Sequence, residues 1–261
     1  MRIVTFASGS TGNCSLITDG KANILIDAGI SMRRTVAALS ELGLTPQDLC
    51  GVLITHEHSD HISGLSMLCK HHKLSIFAPE ELCCVLNEIK PELCDKLNYI
   101  PIDEAFDMGG INVTYFRTPH DAQFSVGYRF EGSSVFAYAT DTGCITESMI
   151  NGLTGADLAL IEANHDLKML REGPYPYYLK RRIMSEKGHL SNDDCAKLAY
   201  SLAKSGTRDI IIGHLSRENN TPEIALSTVK SALCGENARV YAAPMCSMLS
   251  VTVGEDEECL I

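Results

Sequence analysis

Residues 55–61 read Thr55-His56-Glu57-His58-Ser59-Asp60-His61, three imidazoles and a carboxylate in the order H-x-H-x-D-H. They follow Gly51-Val52-Leu53-Ile54-Thr55, a short apolar run that reads as a buried strand. A strand that delivers four metal-capable side chains where it stops commits the chain to a metal site at the edge of a sheet. Imidazole nitrogens suit borderline cations, and the carboxylate adds a harder oxygen face. In an extended segment His56 and His58 point the same way, so they can grip one ion. Asp60 and His61 follow a turn of the chain and are placed for a second.

The flanking sequence alternates strand and helix signals. Short runs separated by Gly, Ser, Asn and Asp predict strands over 2–6, 14–18 and 23–27. Apolar spacing predicts a helix over 31–42, stopping before Gly43 and Pro46, and another over 59–72. A strand near 75–78 and a helix over 79–89 follow. Strands are expected over 98–102, 111–117, 125–130 and 134–140, the last two joined by a turn at Glu131-Gly132-Ser133. The final third predicts strands over 157–163, 209–212, 240–243 and 248–252, with helices over 193–204 and 222–233. This order suits a layered α/β fold, read here as one domain over 1–261.

Hydrophobic residues make up 45% and charged residues 21%, which argues against disorder. No apolar run approaches the roughly 20 residues of a membrane span, so no membrane partner is expected. The first residues run straight into a strand and do not read as a signal peptide, which places the protein in the cytoplasm. Its 11 cysteines are odd in number and scattered, and read as reduced thiols, with Cys14, Cys69 and Cys195 in apolar contexts. Cys83-Cys84 is adjacent rather than C-x-x-C, so it carries no redox or zinc-finger motif. The net charge of −11 disfavours broad electrostatic binding to nucleic acid and leaves room for a local basic patch.

Three more metal-capable residues stand where predicted strands stop: His120 after 111–117, Asp141 after 134–140, and His214 after 209–212. Each alone fits a blander role, a loop histidine, an Asp-Thr-Gly turn or a cap region. Taken in order with His56, His58, Asp60 and His61, they resemble the metallo-β-lactamase superfamily. That resemblance spans nearly the whole chain. It implies a four-layer αββα sandwich with two divalent metal ions at one edge of the packed sheets. It further implies His56, His58 and His120 on the first ion, Asp60, His61 and His214 on the second, and Asp141 between them. The β-lactam-cleaving members often use cysteine at a second-metal position, and none stands in this cluster. His71 and His72 fit no part of the pattern and read as an exposed helix end.

Gly188-His189-Leu190-Ser191 and Gly213-His214-Leu215-Ser216-Arg217 form a pair similar to that of the nuclease-type members, including the tRNA 3′-processing endonucleases. By that resemblance His189 faces substrate and stabilises or protonates an oxygen, a task suited to imidazole. Its plainer reading is a residue preceding a helix cap at Ser191 or Asn192. The loop Ser8-Gly9-Ser10-Thr11-Gly12-Asn13 offers small residues and backbone N–H groups to a phosphate, which makes Ser10 and Asn13 substrate-side candidates. Together with Glu162-Ala163-Asn164-His165-Asp166 and the run from Gly173 through Lys187, these strings are similar to the YycJ/WalJ-like branch. That implies a 5′-to-3′ DNA exonuclease acting on single strands or free ends. Lys168, Arg171, Lys180, Arg181, Arg182 and Lys187 fall within 20 positions and interleave with Tyr175, Tyr177 and Tyr178. Basic side chains track phosphates and aromatic faces stack on bases. Tyr177, Lys180, Arg181, Arg182 and Lys187 are therefore expected to bind substrate, with His165 beside them in a role left open. Asp60 is expected to orient the attacking water and His189 to act with it. Zinc, manganese and iron all suit the ligand set. The competing readings are a hydrolase of small esters, thioesters or lactones on the same centre, and a non-enzymatic metal-binding sensor.

Overall fold

The structure is a computed structural model, which describes residues 1–101 and 104–254 and the backbone of 259–260. The first half of the chain builds one sheet from β1 (Arg2–Ala7), β2 (Cys14–Thr18), β3 (Asn23–Ile26), β4 (Gly51–Leu53), β5 (Ile76–Pro79) and β6 (Leu97–Ile100). Helices α1 (Met32–Glu41), α2 (Ser59–Ile62), α3 (Leu65–His72) and α4 (Glu80–Ile89) belong to this half. The second half builds another sheet from β7 (Phe106–Met108), β8 (Ile111–Arg117), β9 (Val126–Glu131), β10 (Val135–Ala139), β11 (Leu158–Glu162), β12 (Asp209–Gly213) and β13 (Arg239–Ala242). Its helices are α5 (Glu147–Leu153), α6 (Leu167–Glu172), α7 (Tyr177–Ile183), α8 (Asn192–Lys204) and α9 (Pro222–Ala232). The chain then returns to the first sheet with β14 (Leu249–Thr252), paired antiparallel to β1, and β15 (Cys259–Leu260).

Strand order is β15-β14-β1-β2-β3-β4-β5-β6 in the first sheet and β13-β12-β11-β10-β9-β8-β7 in the second. Strand alternation explains how the layers stack. In β11, Leu158 and Leu160 face the other sheet while Ala159 and Ile161 face helices. In β1, Ile3 faces the second sheet while Val4 and Phe6 pack under the helices of the first half. Three apolar clusters result. One lies between helices and first sheet, one between the sheets around Tyr128, Phe130 and Phe136, and one between second sheet and α5, α8 and α9. That is the αββα sandwich expected from the sequence.

Several expectations change. The helix foreseen over 59–72 is two pieces, because the loop after β3 wedges into it. Gly64 donates its N–H to Ala28 O at 2.8 Å, and a Cβ there would sit 1.9 Å from Ile30 O. Of the strand expected over 98–102, Ile102 lies outside the described residues. Strand β7 and helices α5, α6 and α7 were not anticipated as elements, being short segments with weak periodicity. Cys14, Cys69 and Cys195 are buried as expected, and among the described residues ten cysteines are unpaired. Among those residues no helix is long and apolar enough to cross a membrane.

Candidate metal centre

Parallel strands put their C-terminal ends on one rim, and the loops leaving β3, β4, β10, β11 and β12 meet there. His56 and His58 leave the loop after β4, and His120 the loop after β8. Their rings form a triangle with centroids 4.7, 5.0 and 5.0 Å apart. Asp60, His61 and His214 form a second group, with Asp60 Oδ2 at 3.6 Å from both His61 Nε2 and His214 Nε2. Asp141 stands between them: Oδ2 is 3.2 Å from His61 Nε2, and Oδ1 is 3.4 Å from His214 Nδ1 and 3.8 Å from His120 Nε2. All seven residues named from the sequence therefore share one rim.

The backbone is bent to achieve this. Apart from glycine, the described residues with φ above zero are Asp27, Asp141, His214 and Lys73. Three of those four are strand-end residues at this rim. Each such conformation costs on the order of 1–3 kcal/mol and persists where surrounding contacts enforce it.

Two buried carboxylates, neither recognised as a site residue in the sequence, hold the histidines from behind. Asp27 Oδ2 lies 2.7 Å from His61 Nδ1, and Thr55 donates to Asp27 through its backbone N–H at 2.9 Å. Glu162 Oε1 takes Nδ1 of His189 at 2.7 Å and Nδ1 of His214 at 2.9 Å, while Oε2 accepts the Thr142 N–H at 2.8 Å. The available signal was positional: both acids sit at the ends of apolar runs, where an unpaired charge would be costly. His120 is fixed in turn by Nδ1 against Gly188 O at 3.1 Å. The glycines of the paired Gly-His strings are steric necessities. A Cβ on Gly188 would lie 2.1 Å from Ile183 O, and one on Gly213 2.8 Å from Ser8 Oγ.

Charge follows from this packing. Burial pulls the His56 and His120 pKa values down, which keeps both imidazoles neutral and their lone pairs available. Burial alone would push Asp141 up, but His214 and His61 hold it well below the usual carboxylate range. Glu162 is likewise pushed up by burial and held down to about 2 by His189 and His214. The residues fit cations in a further way. His56 Nε2, Asp141 Oδ2 and His214 Nε2 are buried with no hydrogen-bond partner. Orphan polar atoms of that kind call for a ligand. The His/Asp clusters thus suit divalent metal ions.

Beside the histidines a cleft of about 170 Å³ is lined by Ser10, Asn164, Tyr175, Arg182, His189 and Ser216 among others. Tyr177 is 75% exposed on α7, and Arg181 and Lys187 are exposed as well. The Arg181 guanidinium lies 6.0 Å from the Tyr177 ring centre, and Lys180 Nζ donates to Arg171 O at 2.7 Å. Two residues expected on the substrate side are buried. Asn13 is 1% exposed, with its Nδ2 3.3 Å from Asp60 Oδ2 and its Oδ1 accepting from Gly9 N. The Ser8–Asn13 loop thereby braces Asp60 and His214, since Ser8 Oγ also accepts the His214 N–H at 2.8 Å. His165 is 1% exposed too, and burial lowers its pKa to about 4, so it is a neutral group packed inside the rim. Ser191 is indeed the cap of α8, accepting from Asp194 N, and His189 precedes it while also facing the cleft.

The family pattern described as the beta-lactamase superfamily domain matches residues 22–214. The chain belongs to this superfamily. It is 37% identical over 231 residues to exodeoxyribonuclease WalJ of Streptococcus pneumoniae, covering 87% of this chain and 86% of that one. It is 36% identical over 236 residues to exodeoxyribonuclease YycJ of Bacillus anthracis, covering 87% of each. Among solved structures, Zn(2+)-bound PqqB from Methylobacterium extorquens superposes with a TM-score of 0.73 at 18% identity, over 97% of this chain and all of that one. The short form of human tRNase Z superposes at 0.67 and 15% identity, over 98% of this chain and 100% of that one. These two show a shared fold. As a superfamily member of the WalJ/YycJ type, the protein is a metal-binding hydrolase.

Proposed function

We propose that this superfamily member is a metal-dependent phosphodiesterase, a cytoplasmic 5′-to-3′ DNA exonuclease with a dinuclear centre of zinc, manganese or iron. The observation that carries the reading is Asp141 standing between the His56, His58, His120 triad and the Asp60, His61, His214 triad, beside a cleft that His189 lines. The names of the WalJ and YycJ relatives support DNA as the substrate. His56, His58 and His120 would hold one cation, Asp60, His61 and His214 the other, and Asp141 both. Such a pair of cations activates water and offsets charge on the attacking and leaving oxygens.

The protein's own groups do the rest. Asp60, tied to Asn13 and beside His61 and His214, orients water toward phosphorus. His189 donates Nδ1–H to Glu162, which turns Nε2 to the open side. Burial works against its proton, but the Glu162 charge raises its pKa, so Nε2 carries the hydrogen that meets a developing negative oxygen. Tyr177, Lys180, Arg181, Arg182 and Lys187 form the strip where the strand docks.

Oligonucleotides labelled at either end, incubated with each metal, test this. Stepwise loss from the 5′ end is expected. Turnover of thioesters with DNA left intact would replace the reading with the small-ester one. Failure to cleave even bis(p-nitrophenyl) phosphate with cations bound would leave a sensor.

Two carboxylate variants test the supports. Asp27→Asn removes the partner that aims His61, and about 10–100-fold weaker cation affinity is expected by titration of the metal-free protein. Glu162→Gln offers two histidines one acceptor fewer, and kcat on DNA is expected to fall about 10–100-fold. Wild-type affinity in the first, or a wild-type kcat in the second, would reduce that acid to a packing role.

A further inference from the structure

Glu162 Oε1 holds Nδ1 of two histidines at once, His189 at 2.7 Å and His214 at 2.9 Å. The three residues come from separate parts of the chain: the end of β11, the stretch leading into α8 and the loop after β12. Sharing one oxygen between two rings demands close placement of both, because a hydrogen bond weakens steeply once its angle or length is off. Apolar packing does not supply that placement by itself. Helix α8 rests on the second sheet through Cys195, Leu198 and Leu202, and apolar contact has no preferred direction.

Asn192 and Asn220 supply the direction. They are 1% and 5% exposed and pair amide to amide: Asn192 Nδ2 donates to Asn220 Oδ1 at 2.9 Å, and Asn220 Nδ2 donates to Asn192 Oδ1 at 2.8 Å. Asn192 opens α8 just after His189, and Asn220 precedes Thr221, the cap of α9, in the loop that His214 begins. Asn220 Nδ2 also reaches Ala163 O at 2.8 Å, next to Glu162 in the chain. The three stretches that carry Glu162, His189 and His214 therefore meet at one buried point. The N–H of His189 itself goes to Ile183 O at 2.9 Å, at the end of α7. Leu190 O and the N–H of Asn192 bond to the loop after β11, at Asn164 and His165. Among the described residues, the hydrogen bonds that join the His189 stretch directly to the loop of His214 are those of the amide pair. His214 has holds of its own: Ser8 Oγ accepts its N–H, and Asn164 Nδ2 donates to its C=O at 2.9 Å.

We infer that Asn192 and Asn220 are positioning residues for His189: their amide pair sets the start of α8 against the loop of His214, so that Glu162 aims both imidazoles. What His189 then does rests on the nuclease reading above. Asparagine suits the task because each amide has one side that donates and one that accepts, so two of them close on each other in a single register. A buried asparagine fixes register between packed helices in the same way. The pair acts on the step in which His189 meets developing negative charge, and it leaves the cations to their own ligands.

The test compares Asn192→Ala and Asn192→Asp with the wild type, each as the zinc-loaded full chain. Asn192→Asp keeps the volume and an acceptor, and an acid in the first turn of α8 suits the helix dipole, so it separates lost pairing from lost packing. Protons on Nδ1 of His189 and His214, held by a buried carboxylate, give low-field NMR signals, and the His189 signal is the one missing from His189→Gln. In both variants the His189 signal is expected to move or broaden while the His214 signal stays. On single-stranded DNA, kcat is expected to fall about 10–100-fold with KM within about twofold of wild type, the scale of a misplaced catalytic group. Cation content should match the wild type. An unmoved His189 signal, or a wild-type kcat, in either variant would overturn the inference. So would loss of cations or of the fold in both variants, which would make the pair a general support. If the wild type left DNA intact, the nuclease reading would fall, and the His189 signal would by itself decide whether the pair places that ring.

Discussion

Replacing Asp141 with alanine is expected to cut phosphodiester hydrolysis to below about 1% of wild type while the protein keeps its fold. Partners that merely support metal ligands are worth about 10–100-fold. Asp141 is the side chain both triads share, at 3.2 Å from His61 and 3.8 Å from His120, so its loss removes more than a supporting contact. Histidines now crowded by one another would face no common carboxylate, and cation content should drop with activity. The fold is expected to persist because the residue sits on a loop past the end of β10, outside the three apolar clusters. The matching variant His58→Ala strips one member from the first triad alone. Metal analysis alongside kcat separates the two: Asp141→Ala should lose cations from both positions, His58→Ala from one. Full activity in Asp141→Ala would show that the rim does not work as a shared centre.

Replacing Gly29 with alanine should be the most damaging change outside the ligands. A Cβ there would lie 1.6 Å from Asp60 O, 2.4 Å from Asp60 C and 2.7 Å from Asn13 N. All three are backbone atoms, so no rotamer change relieves them. The same stretch is stitched by hydrogen bonds: Gly29 N to Asn13 O, Asn13 N to Asp60 O, and Ala28 N to His61 O, at 2.9, 2.7 and 2.8 Å. One methyl group therefore pries apart the three loops that place Asp60 and His61. Overpacking a core costs about 1–3 kcal/mol even when side chains can yield, and here the obstacle is main chain. A loss above about 3 kcal/mol in denaturant unfolding is expected, with weaker cation binding in whatever folds. The neighbouring Gly20→Ala, with nothing within 4 Å of its Cβ but a φ of 88°, should cost far less and serves as a comparison. Equal stabilities for the two would show that the loops around Gly29 are looser than their contacts suggest.

Both predictions depend on contacts that differ in how far the sequence reveals them. Strands were legible because breakers bracket short apolar or alternating runs: 2–6, 14–18 and 111–117 appear as β1, β2 and β8 with shifts of a residue at most. Helices α5, α6 and α7 were not, because segments of six or seven residues present too few turns for a periodicity. The break at Gly64 was invisible for another reason: the pattern of Ile62, Leu65 and Leu68 runs across it, and only the wedge of residues 28–30 interrupts the helix. Asn13 reads as a loop residue free to meet phosphate until the packing shows Asp60 and His61 upon it.

What the linear order of residues determines is the chemistry available: imidazoles and carboxylates at strand ends, in an alternation that puts His56 and His58 on one side and Asp60 and His61 on another. Side-chain type and strand period are local properties, and local properties are written in the sequence. What tertiary structure alone decides is which of these groups meet. Asp27 behind His61, Glu162 shared by His189 and His214, and Asp121 holding Arg182 join residues 34, 27, 52 and 61 positions apart. Those pairings exist because two sheets pack face to face and fix their loops on one rim, and no local propensity specifies such a distance.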